Sequence, residues 1–404
     1  LEKKIVKTAG IICEYNPIHN GHVRHIAETR AMLGEGSAVV CAMSGNFVQR
    51  GDLAVFQKNA RALSAVASGA DLVIELPLPY VLSSAEGFAS GGVKLLDALG
   101  VVTHLSFGSE TGETQSLAEL ADCLLCEGMP GLIKHELKSG ISYARARQHA
   151  VASLLGAKAE MLNTPNNILG VEYIKALKES QSSMTPLTVR RFGAAHDSDG
   201  AESASKLRKL LKAGKETWHL MPESAAAILM EEITAGRGPV FMDAVETAVL
   251  SRLRMLPEEA YTSLADASEG LGLRLMRYAK TMPTVQSILE STKTKRYAMS
   301  RLRRMLLCAA LGIEAEDSMS PPPYIRVLAM NQTGMRLLRE IKEKSPLPVI
   351  TKPALADTLD GAARSMFLKE TAATDFYVLA YPGPENRTGG QEWTTSPKIL
   401  TEKK

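Results

Sequence analysis

Short, almost uninterrupted apolar runs alternate with helix-spaced stretches across the first half of this chain. Residues 9–13, 38–43, 71–76 and 104–108 read as strands. Between them, apolar positions recur every three or four residues near 23–33, 57–68 and 84–99, the spacing of helices that bury one face. Strands that are apolar at every position are covered on both faces. The alternation therefore predicts an α/β fold with a doubly wound parallel sheet and right-handed crossovers. Residues 112–155 read as mainly helical, and a last strand at 187–191 precedes a helix beginning near Ser203. That helix closes an N-terminal domain, 1–213.

The second half has a different texture. Residues 224–311 are rich in Ala, Leu, Met and charge at helical spacing, which predicts a mainly helical C-terminal domain over 214–383. Ser320-Pro321-Pro322-Pro323 is a rigid break. A short strand at 324–329, a helix at 333–344 and a further strand at 346–351 follow it. Beyond residue 383, Gly, Pro, Asn and Thr gather, so 384–404 is expected to be a flexible tail.

A chain of 404 residues accommodates two such domains. The formal charge of +3 does not announce a nucleic-acid binder, so any such surface must come from local clustering. Five scattered cysteines fit a reducing cytoplasm better than a disulfide framework. Cys123 and Cys126 lack a second pair, so core packing is expected there and no metal site. No apolar run is long enough for a membrane span, and Leu1-Glu2-Lys3-Lys4 leads into a strand rather than a signal sequence. The expectation is a cytoplasmic protein without a membrane.

The candidate chemistry starts at His19-Asn20-Gly21-His22, just after the first strand. Imidazoles at i and i+3 share one helix face. The free N–H groups of a first turn and the helix dipole add positive potential there. Gly21 lets a phosphate approach the backbone. Ligands bind where parallel strands end, which favours a phosphate site over the alternative of a surface cap. Other phosphate devices are missing: there is no GxxxxGK[ST] loop, and Gly34-Glu35-Gly36 lacks a third glycine. Ser203-Ala204-Ser205-Lys206-Leu207-Arg208 offers a second element, a serine cap with a fork-shaped cation one turn on; an ordinary capped helix is the alternative. Asp71 reads as a junction or loop-orienting carboxylate rather than a catalytic one.

The motif resembles the HxGH signature of the nucleotidyltransferase superfamily, distant relatives of class I aminoacyl-tRNA synthetases. The wider run Ile12-Cys13-Glu14-Tyr15-Asn16-Pro17-Ile18-His19-Asn20-Gly21-His22 resembles the bacterial tRNA(Met) cytidine acetate ligases. So do, in order, Met43-Ser44-Gly45-Asn46-Phe47-Val48-Gln49-Arg50-Gly51, Gly69-Ala70-Asp71-Leu72-Val73-Ile74-Glu75-Leu76-Pro77, Phe107-Gly108-Ser109-Glu110 and Pro165-Asn166-Asn167-Ile168-Leu169-Gly170. The likeness runs through the N-terminal half and continues, more weakly, to near residue 380. It implies an HxGH nucleotidyltransferase-like Rossmannoid domain in which His19 and His22 stabilise charge at the transferred phosphorus. ATP contacts are implied along Ile12 to His22, through Val23, Arg24 and His25, and at Gly108, Asn166, Arg190 and Arg191. The serine-led stretch is similar to the superfamily's ISSTxxR element, although no isoleucine leads it, and brings in Ser205 and Arg208.

The reaction implied is ATP-dependent: acetate and ATP give acetyl-adenylate, and the wobble cytidine of elongator tRNA(Met) then takes the acetyl group at N4. Magnesium is expected to accompany ATP, and acetyl-CoA is not the expected donor. Gln49 and Arg50, between glycines that make a mobile loop plausible, are candidates for holding the acetate carboxylate. Lys293, Lys295, Arg296, Arg301, Arg303 and Arg304 fall in one short stretch, read as helical and free of acidic residues, which is the expected tRNA contact. Arg336, Arg339, Lys342 and Lys344 form a milder group interrupted by Glu340 and Glu343. Two other readings stay open at this point: nucleotidyl transfer to a small metabolite phosphate, and a non-catalytic tRNA- or nucleotide-binding module.

Overall fold

A computed structural model describes residues 7–191 and 203–401. Strands β1 (Thr8–Cys13), β2 (Ala38–Ser44), β3 (Phe47–Val48), β4 (Asp52–Leu53), β5 (Leu72–Leu76), β6 (His104–Ser109), β7 (Thr185–Arg190), β8 (Ile325–Met330), β9 (Val349–Ile350) and β10 (Lys398–Ile399) come in that chain order. The main sheet runs β10-β8-β5-β2-β1-β6-β7, with β9 beside β8; β3 and β4 form a separate hairpin. The five strands from β5 to β7 are parallel, with β1 at the centre. Every residue of β1, β2 and β5 is buried, as their unbroken apolar character requires. Helices Asn20–Leu33, Lys58–Ala67, Ala85–Asp97 and Pro165–Glu179 cross between them.

The sheet is not parallel throughout. After the helices of residues 223–311, the chain returns and β8 pairs antiparallel with β5, carrying β9 and β10 parallel to itself. Periodicity identifies a strand but carries nothing about its direction or partner, so this edge is a product of the tertiary fold.

The described part of the expected tail is tied down as well. Lys398–Ile399 pairs with β8. Glu392 is buried, its carboxylate held by Lys58 at 2.6 Å and by Arg326. Thr374 donates its hydroxyl to the same carboxylate. Turn-rich composition predicts looseness, but one buried carboxylate among two cations anchors this segment, because leaving any of them unpaired in the interior is costly.

The basic stretch also departs from its reading. Helix Val285–Thr292 stops at Lys293, whose backbone is extended (φ −63°, ψ 139°), and a new helix starts at Met299. Lys293, Lys295 and Arg296 therefore sit in a turn, braced by Arg296 N–H donating to the Thr294 hydroxyl at 3.2 Å. The cysteine pair splits: Cys123 is half-buried near a helix end, while Cys126 caps it and is exposed. No disulfide links the five cysteines, and among the described residues no group of three or more His, Cys, Asp or Glu is placed to hold a metal ion. No helix among them is long and apolar enough to cross a membrane.

Candidate active site

β1 ends at Cys13, and the chain bends through Tyr15, whose φ of 43° is left-handed, into the helix Asn20–Leu33. His19 is the N-cap of that helix. Its Nδ1 accepts the Gly21 N–H at 3.1 Å, and its own N–H donates to Nδ1 of His22 at 3.3 Å. This is a reciprocal cap built from two imidazoles, and it stacks the rings with centroids 3.7 Å apart at 29°. An accepting Nδ1 puts the single proton of a neutral ring on Nε2, so each ring keeps one N–H donor for a ligand. Burial, with Arg191 adding repulsion, lowers His19 to about 4 and pushes His22 well below the usual imidazole range. Both rings are uncharged near neutral pH.

His22 lines a cavity of about 390 Å³, and both histidines line a small notch beside it. Ile12, Phe88, Phe107, Leu169 and Tyr173 give the cavity an apolar wall, while Glu14, Asn16, Gln49, Arg50, Asn166, Arg191 and Arg208 supply its polar groups. The walls come from β1, β6, Arg191 just past β7, the turn between β3 and β4, and four helices, in the crevice at the carboxyl ends of parallel strands.

Arg191, at the end of β7, donates to the side-chain oxygen of Asn166 at 2.8 Å. Asn166 in turn donates to Glu110 at 2.7 Å, and Glu110 takes the Asn167 N–H at 2.8 Å. A Cβ at Gly108 would lie 3.1 Å from the Arg191 side chain, so the glycine admits this arginine over the strand end. On the opposite wall Arg208 donates to the Asn16 carbonyl at 2.8 Å and to the Ser205 hydroxyl at 3.1 Å. Ser203 is the cap of that helix, accepting the Lys206 N–H at 3.2 Å.

The remaining expected contacts divide. Arg24 and Arg190 border the notch. Pro17, Ile18, Asn20 and Val23 form no part of either wall. His25 reaches the cavity but also lies 3.0 Å from the Ser106 hydroxyl on β6. Gln49 donates its side-chain amide to the Ser83 carbonyl at 3.2 Å and its backbone N–H to Glu14 at 2.6 Å, whereas Arg50 is exposed at the rim. Asp71 is a junction residue: it takes N–H bonds from Val39 at 2.8 Å, Arg30 at 2.5 Å and Asn331 at 2.9 Å.

Of the basic stretch, Lys293, Lys295, Arg296 and Arg303 are exposed. Arg304 is buried against Asp266 at 3.2 Å, and Arg301 donates to the Asp266 carbonyl at 2.8 Å. Both cations are paired with Asp266, Arg304 buried and Arg301 half-buried.

Sequence reasoning missed Phe88, Leu169, Tyr173 and Glu110. Tyr173 stands two turns beyond Asn166 on one helix, a spacing that carries the signal. It also missed Arg61, which is fully buried and donates to the carbonyls of Glu14, Ser44, Gly45 and Phe56, joining the loops after β1 and β2.

The family described as HIGH Nucleotidyl Transferase matches residues 6–392 of this chain. A tRNA(Met) cytidine acetate ligase of Acetivibrio thermocellus is 38% identical, covering 98% of this chain and all of the relative. The chain belongs to the tRNA(Met) cytidine acetate ligase family. A ligase of that name from Thermosipho africanus is 34% identical over 96% of this chain and 98% of its own length. The crystal structure of Thermotoga maritima TmcAL bound with alpha-thio ATP superposes with a TM-score of 0.90 at 32% identity, covering 98% of this chain and all of that one. Membership of this ligase family agrees with an α/β sheet whose first β-α unit carries the histidine pair.

Proposed function

We propose that this protein activates acetate with ATP and transfers the acetyl group to N4 of the wobble cytidine of elongator tRNA(Met). The observation that carries this reading is the stacked His19–His22 pair, each ring with Nδ1 occupied and Nε2–H left to donate, with His22 on the wall of a cavity of about 390 Å³ and His19 on the notch beside it. The likeness to a relative crystallised with alpha-thio ATP supports the same ligand here.

In this reading the apolar wall takes the adenine, while Arg191 and Arg208 face the phosphates from opposite sides. As acetate attacks the α-phosphorus, charge builds on its non-bridging oxygens and on the departing pyrophosphate. Fixed Nε2–H and backbone donors stabilise that charge without reorganising. Arg50, exposed at the rim beside Glu14, is the group placed to attract the acetate carboxylate. Magnesium enters as part of the nucleotide substrate. Acetyl-adenylate has the good leaving group that free acetate lacks, so acetyl-CoA has no part in the sequence. The exposed Lys293, Lys295, Arg296 and Arg303 are the phosphate contacts for the tRNA.

Labelled acetate, ATP and bulk tRNA, followed by nucleoside analysis, test the proposal. Labelled N4-acetylcytidine is the expected product. Pyrophosphate release that depends on a small metabolite phosphate, with no label in tRNA, would overturn it.

A further inference from the structure

The β3–β4 hairpin is a partition. Gln49 and Arg50, in its turn, line the nucleotide cavity, whereas Gly51, Asp52 and Leu53 line a second hollow of about 500 Å³ on the other side. Arg208 borders both. The second hollow has an apolar floor of Leu289, Leu306 and Leu307, the half-buried ring of Phe241 on one wall, and the exposed cations Lys209 and Arg303 at its rim. Lys212 Nζ lies over that ring, 5.6 Å from its centroid, so a base stacking there displaces the lysine toward its phosphates; a flat ring beside apolar floor, with cations a short distance away, is the complement of a single nucleotide.

One carboxylate in this hollow stands apart. Asp243 is bridged to Lys212 at 2.5 Å, and Glu246 accepts the Val285 N–H at 2.8 Å. Asp52 uses Oδ1 to accept the Leu53 N–H at 2.9 Å, and its Oδ2 takes no hydrogen bond among the described residues. Burial raises its carboxyl above the ordinary range, while Arg303, Arg208 and Lys212 pull the other way and favour the anion. A carboxylate that is more basic than usual and sits at the partition between two cavities is suited to collecting a proton.

We propose that the second hollow is the acceptor site, taking a cytidine turned out of its RNA strand with the base against Phe241, and that Asp52 is the base for its exocyclic amine. This rests on the acetyl-transfer reading above. The amine nitrogen forms a bond to the acetyl carbon, and the bond from that carbon to the adenylate oxygen breaks, its electron pair leaving on AMP. The amine proton passes to Oδ2 of Asp52 and from there to solvent. Arg303 and Lys209 hold the flanking phosphates, and turning the nucleotide out of its strand is what brings the amine past the hairpin to the side of Arg208, where the two hollows adjoin.

Asp52→Asn and Phe241→Ala proteins, each full length, are followed in two assays. Acetate-dependent exchange of labelled pyrophosphate into ATP reads the first half-reaction, and single-turnover acetylation of tRNA reads the second. Asp52→Asn is expected to keep exchange within about twofold and to slow transfer by at least about 100-fold. Phe241→Ala is expected to raise the half-saturating tRNA concentration about tenfold, the usual cost of a lost stacking ring. Retained transfer in Asp52→Asn, or equal losses in both assays, overturns the proposal and leaves the ligase reading standing. A wild-type protein that shows no acetate-dependent exchange overturns both together.

Discussion

Gly51 packs directly on the backbone of Arg304. A Cβ built there would lie 2.5 Å from the Arg304 nitrogen and 2.7 Å from the Arg303 carbonyl carbon, and the glycine's φ is +75°. The hairpin between the two cavities is thus seated on the helix Met299–Leu311 by a contact that only glycine permits. Gly51→Ala adds both a left-handed penalty and a backbone clash. It is expected to destabilise the protein by about 2 kcal/mol, read as a lowered urea midpoint. An unchanged midpoint would mean that the hairpin and helix move apart without cost.

The two imidazoles form one unit. His19→Asn and His22→Asn are each expected to slow acetate-dependent pyrophosphate exchange by about 10²- to 10³-fold, the usual loss for one transition-state donor. The double variant is expected to lose much less than the product of the two, because the rings are stacked and removing one takes away the surface that orients the other. Strictly multiplicative losses would argue that the stacked pair acts as two independent donors.

The buried rings also set a pH dependence of stability. An unfolded histidine binds its proton near pH 6.5, whereas His19 and His25 in the folded protein are lowered to about 4, chiefly by burial and then by Arg191. Between those values the unfolded state binds more protons, so stability is fully present above about pH 6.5 and is lost as pH falls toward 4. Urea midpoints measured from pH 7 to 4.5 should fall, and should fall less in His25→Gln. Superimposable curves for the two proteins would refute the assignment.

Neighbouring arginines at 303 and 304 should behave oppositely. Arg303→Glu leaves a solvated surface charge and is expected to weaken tRNA binding, with the slope of log affinity against log salt reduced by about one or two. Arg304→Glu puts a buried like charge against half-buried Asp266 and is expected to cost about 3 kcal/mol of stability. Filter binding at several salt concentrations and urea unfolding separate the two. Equal effects of both substitutions on tRNA affinity, with no loss of stability, would place Arg304 on the RNA surface after all.

Much of this molecule is legible in one dimension. Strands buried on both faces leave unbroken apolar runs, so β1, β2, β5 and β6 stand within a residue or two of where their composition places them. The histidine turn is equally local: His19, Gly21 and His22 share one helix start, and a turn's geometry follows from its own residues.

What the chain alone could not settle is everything carried by contacts between distant segments. The antiparallel return of β8, the anchoring of Glu392 between Lys58 and Arg326, the burial of Arg304 and the second hollow behind the hairpin each join residues far apart in sequence. A lysine, arginine or glutamate reads as surface until its partner is known, because a charge is stable inside only when the fold delivers its counter-charge. Local periodicity therefore determined the elements and the histidine turn, while long-range packing decided which charges face the ligand and which hold the protein together.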